Sequence, residues 1–192
     1  GKKAGMFTTR DLLKVPVYYF RYRKGSIKVD VIAQGLEALS GRSEDSLRSL
    51  AESCYQARVR TDIFPEARRR ISEHREAGHT VIIASSSLGI IIDPLAKELQ
   101  IEHVVCTRLE FADGKATGRL HGEPCFGAGK LTAARSLVET LGGTLEEAAF
   151  YSDSHHDVPL LAACGRPVVV NPDKKLTAEA RSRGWDVVEF KL

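Results

Sequence analysis

The stretch His79–Cys106, HTVIIASSSLGIIIDPLAKELQIEHVVC, decides the fold class. HTVIIAS is a continuous apolar run rich in β-branched residues, which reads as a buried strand. GIIIDPLAKELQ predicts a helix, interrupted near Pro94, because proline lacks the N–H a helix interior needs. HVVC then opens another apolar run. A strand, a helix and a second strand on short connections form a unit whose two strands lie parallel.

The alternation continues outward from that unit. HVVCTRLEF, the turn ADGK and ATGRL predict a strand and a hairpin. GKLTAARSLVETLGG predicts a helix ending at Gly142, AAFYS a strand, VPLLAAC a helix and RPVVVN a strand. KKLTAEARSRG and WDVVEF close the chain as a helix and a last strand. Upstream, PEARRRISEHREAG predicts a helix with Pro65 in its first turn and Gly78 at its end. The expected fold is therefore α/β, with a Rossmann-like parallel sheet over residues 63–192.

Residues 1–62 differ in texture and predict a small all-helical cap on the N-terminal side. TTRD offers a capping box, Thr8 with Asp11, ahead of an apolar and aromatic run in which Pro16 kinks the helix or marks its start. VDVIAQGLEAL and SEDSLRSLAESCYQARV predict shorter amphipathic helices, the second capped by Ser43.

The 192 residues are 43% hydrophobic and 28% charged, which fits a soluble globular protein of one domain with an insertion. No apolar run approaches the ~20 residues of a membrane span, and no signal peptide is visible. The four cysteines form no C-x-x-C and are expected to be reduced, mostly buried thiols of a cytoplasmic protein. A net charge of +3 is too small to imply nucleic acid. The basic surplus of residues 1–30 reads as a solvated helical face.

In open parallel sheets, ligands bind at the carboxyl ends of the strands. Ser85–Ser86–Ser87 after VIIA is a hydroxyl and N–H cluster at an expected helix start, suited to a phosphate oxygen or to ordinary capping. Lys130 falls in the first turn of the next helix, where a cation opposes the dipole unless something anionic is near. FYSDSHHDVPLL places Asp153 and Asp157 at a further strand end. Alone, that loop reads equally as a polar helix start. Together, the hydroxyls, the lysine and the acidic pair can hold a dianion and bind Mg²⁺ through hard oxygen ligands. Zn²⁺ lacks a nearby cysteine or third histidine, so His155 and His156 are expected to face solvent.

VIIASSS, GAGK and YSDSHHDVPLL, in that order, resemble the second, third and fourth motifs of the haloacid dehalogenase superfamily, in its phosphoserine-phosphatase-like branch. The ending VVNPDKKLTAEARSRGWDVVEF is similar to that of the branch, and residues 1–60 more loosely resemble its helical cap. The resemblance implies a Mg²⁺-dependent phosphatase acting on a small phosphorylated metabolite through an aspartyl-phosphate. By the same resemblance Ser85 bonds the phosphoryl group, with Ser86 beside it, and Lys130 balances charge. Asp153 binds Mg²⁺ directly, and Asp157 supports the metal and its water.

One departure stands out. The family's first motif, D-x-D-x-T, supplies the nucleophile, and no D-x-D occurs in these 192 residues. The expectation is that the nucleophilic strand lies outside the sequence, because losing the central strand of the sheet would expose backbone groups and core side chains. These residues alone should then be inactive. Candidate substrate selectors in the cap are Arg58 and Arg60. The alternative is a non-catalytic phosphate-binding or interaction protein, with LLKVPVYYFRYRK as its contact surface or as an interfacial membrane helix.

Overall fold

The computed structural model describes residues 35–192. The expected first helix, its Thr8 capping box, the Pro16 kink, the LLKVPVYYFRYRK surface and most of VDVIAQGLEAL lie outside the described residues. From Glu44 onward the helical stretch before Pro65 and the alternating region can be followed in full.

Helix α1 (Glu44–Cys54) starts at Ser43, whose hydroxyl accepts from the Ser46 N–H at 3.3 Å. It widens into a π-turn (Tyr55–Val59) and then tightens into a 3₁₀ turn (Arg60–Asp62) before α2 (Pro65–Glu76). Strand β1 (Ile82–Leu88), helix α3 (Gly89–Glu98) and β2 (His103–Thr107) form the parallel unit that the sequence predicts. Helix α3 runs through Pro94 without a break. The antiparallel hairpin β3 (Leu109–Ala112) and β4 (Lys115–Leu120) follows. Then come α4 (Ala128–Thr140), β5 (Ala149–Ser152), α5 (Val158–Ala163), β6 (Arg166–Val170), α6 (Lys174–Arg183) and β7 (Asp186–Val188).

The parallel strands fall into two sheets among the described residues, β1–β2 and β5–β6–β7. Helix α4 joins them. Its Leu131, Ala134 and Val138 share one apolar cluster with Ala84 of β1, Phe150 of β5 and Leu160 of α5. A second cluster, Leu161, Val169, Leu176 and Ala180, packs α5 and α6 on the three-stranded sheet. A third joins Leu36 and Leu47 to Ile90, Leu109 and Ala116, so α1 and the residues before it rest on α3 and the hairpin. No described helix is long and apolar enough to cross a membrane.

Candidate active site

The serine triplet does not start a helix. It lies inside β1, and α3 begins only at Gly89. The reason is the parallel partner. Ser85 pairs with Cys106 and Leu88 with Thr107, so Ser86 and Ser87 are extra residues that bulge out of the ladder. Bulges of this kind re-aim side chains beside functional sites. The Ser85 hydroxyl accepts from the Ser87 N–H at 3.2 Å, and the Ser86 carbonyl accepts from the Thr107 hydroxyl at 3.0 Å.

Lys130 is built in from below. Gly127 takes φ 54° and ψ −120° at the N-cap of α4, a conformation that side chains with a Cβ rarely adopt. A Cβ on Gly129 would stand 2.4 Å from the Pro124 carbonyl oxygen, so the loop closes tightly only with glycine there. Lys130 is 5% exposed, and its Nζ donates to Asp157 Oδ1 at 2.6 Å. Asp157, 7% exposed, also accepts from the Ser152 hydroxyl at 2.7 Å through Oδ2. A buried charge needs such partners. The anion that offsets the misplaced lysine is thus Asp157, and a surface lysine is ruled out.

Each oxygen of Asp157 accepts one hydrogen bond from the chain, so Asp157 orients Lys130 and keeps a further lone pair on each oxygen. Asp153 differs. It is exposed, yet the protein crowded around its carboxylate desolvates it and raises its pKa, against a bond from its own backbone N–H. The charges of Asp157 and Asp173 raise it further, while Lys130 lowers it. Its backbone is fixed by the Asp173 N–H, which donates to the Asp153 carbonyl at 3.2 Å.

The histidines do not face solvent freely. Ser154 caps a 3₁₀ turn, His155–Asp157, and turns both imidazoles inward until they are partly buried. His155 Nδ1 donates to Asp173 Oδ2 at 2.9 Å, and the His156 ring lies 4.7 Å from the Phe126 ring. Burial alone would raise the Asp173 carboxyl, but the Leu176 amide and His155 outweigh it and hold it below its ordinary value. No group of three His, Cys, Asp or Glu side chains poised for a metal occurs among the described residues. The Asp153 carboxylate is a hard oxygen donor of the kind Mg²⁺ takes.

All four cysteines are free, and only Cys125 and Cys164 are buried; Cys54 is exposed, contrary to expectation. Burial pushes the Cys125 thiol up to about 11, which leaves it protonated and a poor nucleophile near neutrality. Of the expected cap selectors, Arg60 is tied to Glu98 at 3.0 Å, while Arg58 is exposed.

The sequence model of the haloacid dehalogenase-like hydrolases matches residues 4–162. The chain belongs to that family. Among its relatives is a phosphoserine phosphatase of Mycobacterium tuberculosis, 34% identical over 97% of this chain and 62% of that protein. A histidinol-phosphatase of Neisseria meningitidis is 32% identical over 91% of this chain and 81% of its own length. The crystal structure of a Bordetella pertussis protein of unknown function superposes with a TM-score of 0.84 at 28% identity, covering 93% of this chain and 82% of that one. The chain spans 50% of the length of a probable phosphatase of Mycobacterium tuberculosis and 62% of that of the phosphoserine phosphatase. As a haloacid dehalogenase-like hydrolase of the phosphoserine-phosphatase branch, it keeps the order of strand-end groups that its motifs imply. Sequence reasoning missed Thr107, which lies outside the motifs, and the bonds of Ser152 and of the His155–Asp173 pair, whose partners are set by the fold.

Proposed function

We propose that the protein is a Mg²⁺-dependent phosphomonoester hydrolase acting on a small phosphorylated metabolite through an aspartyl-phosphate. Residues 1–62 form its cap and 63–192 its core. The observation that carries this reading is the buried Lys130–Asp157 pair at the carboxyl end of β5, beside the exposed Asp153. A charged pair with both members below a tenth exposed is costly to bury and is retained where its charge has a task.

In this reading the Ser85 hydroxyl and the amides of the bulge hold the phosphoryl oxygens. Lys130, fixed by Asp157, faces the charge that develops on phosphoryl transfer. Asp153 holds Mg²⁺, which supplies Lewis-acid neutralisation of that charge. An aspartate outside the 192 residues attacks phosphorus and releases the alcohol; water then cleaves the acyl phosphate. The phosphoserine and histidinol-phosphate relatives support a small metabolite as substrate.

The test is hydrolysis of an aryl phosphate by the complete protein. Turnover in Mg²⁺ that EDTA and Asp153→Asn each abolish is the expected result. Activity that survives chelation, or an Asp153→Asn variant as fast as wild type, would overturn the metal assignment.

A further inference from the structure

One residue outside the motifs links the two halves of the candidate site. Thr107, at the end of β2, is 3% exposed. Its hydroxyl donates to the Ser86 carbonyl at 3.0 Å and accepts from the Cys125 N–H at 3.1 Å. The first bond pins the bulge that presents Ser85 and Ser86. The second pins the loop that ends in Lys130.

From Cys125 the path to the lysine is short and stiff. The Phe126 N–H bonds the Pro124 carbonyl at 2.9 Å, and the Gly129 N–H bonds the Phe126 carbonyl at 3.0 Å. Gly129 is packed so close to Pro124 that a methyl group would collide there. Lys130 follows, held to Asp157 and, through it, to Ser152 of β5. Polar contacts thus run from β1 to β5, across two sheets that share no backbone ladder among the described residues. A hydroxyl serves this purpose because it can donate and accept at once, whereas an apolar side chain of equal size can do neither.

We propose that Thr107 is a positioning residue that fixes the phosphate-holding bulge of β1 relative to Lys130. This inference rests on the phosphatase reading above. A misplacement of about 1 Å between groups that act on one phosphoryl can cost on the order of 100-fold in rate. The loss should fall on kcat, because the bulge amides still bind phosphate while the lysine no longer meets the developing charge.

The experiment compares Thr107→Val, which keeps the shape and loses both bonds, with Thr107→Ser, which keeps the hydroxyl. With an aryl phosphate and the complete protein, Thr107→Val should lower kcat tenfold or more and leave KM within about threefold. Thr107→Ser should keep kcat within about threefold of wild type. A folded Thr107→Val with wild-type kcat, or a Thr107→Ser that loses as much as Thr107→Val, would overturn the proposal. If Thr107→Val does not fold, Thr107→Cys, a weak hydrogen-bonding group, takes its place under the same criteria. Amide exchange separates this inference from the reading beneath it. If wild type hydrolyses no phosphate ester, the phosphatase reading fails. The tether is then judged by the amides of Cys125, Phe126, Gly129 and Leu131. Their exchange should quicken tenfold or more in Thr107→Val and not in Thr107→Ser, and unchanged protection would overturn it.

Discussion

Strands β6 and β1 are both apolar runs, yet their surroundings differ. β6 lies between β5 and β7, and Val168, Val169 and Val170 are all buried. β1 pairs only with β2 among the described residues, and Ile82, Ile83 and Ala84 are only partly covered. β5 resembles β1 in this respect: it has β6 on one side, and Phe150 and Tyr151 remain partly exposed. Burial in these sheets therefore follows the number of neighbouring strands and not the hydrophobicity of the strand itself. Among the described residues no strand pairs with the second edge of β1 or of β5, and we propose that the nucleophile-bearing strand fits there.

The largest effect should come from the polar link between the two halves. Lys130→Met should lower the rate by on the order of 100-fold or more, because a fixed cation acts mainly on transition-state charge. It should also destabilise the fold by about 3–5 kcal/mol, since Asp157 is left buried without its partner. Adding Asp157→Leu should recover most of that stability and none of the activity. Recovery of both would mean that the pair is structural only, and denaturant melts alongside aryl phosphate assays check this.

Next in size is the contrast between the strands. Leu161→Ala, in the cluster beneath β6, should cost about 2–5 kcal/mol because the side chain is fully enclosed. Ile83→Ala should cost less, about 1 kcal/mol, because part of its surface already meets water. Equal costs in the 192-residue chain would break the comparison between the two strands. A larger Ile83→Ala cost in the complete protein would sharpen it.

A smaller effect concerns Asp173, which caps α6 by accepting from the Lys175 and Leu176 N–H groups. Asp173→Ala should cost about 1 kcal/mol near neutrality. The carboxyl titrates below its ordinary value in the fold, so its contribution is complete above the unfolded value of about 4 and is lost as pH falls through the folded one. The stability gap between wild type and Asp173→Ala should accordingly narrow on acidification below that range. Urea melts at a series of pH values measure it, and a gap that widens in acid would refute the assignment. Ser85→Ala should be the mildest change to activity, since the amides of the bulge still hold phosphate.

The sequence carried the alternation of strands and helices because apolar period and glycine or proline punctuation are local signals. It also pointed to Lys130, a cation out of place in the first turn of a helix, whereas Asp153 reads alone as an ordinary loop residue and stands out only beside the other strand-end groups. Other features depend on what lies across the fold. The serine triplet reads locally as a helix cap, and only β2, pairing Thr107 with Leu88, keeps it in a bulged strand. The partners of Asp157, Lys130 and Ser152, are neither of them its immediate chain neighbour, and only the fold brings them to its two oxygens. His155 reads as a solvent-facing loop residue because its partner, Asp173, is 18 residues away. Thr107 is an unremarked β-branched residue in a strand, and its two bonds cannot be inferred from spacing.

On the reading proposed above, these strand-end groups serve a carboxylate nucleophile supplied from outside the 192 residues. Trapping the phosphoenzyme tests it directly. The complete protein, quenched during turnover of a labelled phosphate ester, should carry a hydroxylamine-sensitive acyl phosphate on an aspartate outside residues 1–192. A hydroxylamine-resistant label on Ser85, or an acyl phosphate on any carboxylate within the 192 residues, would contradict it.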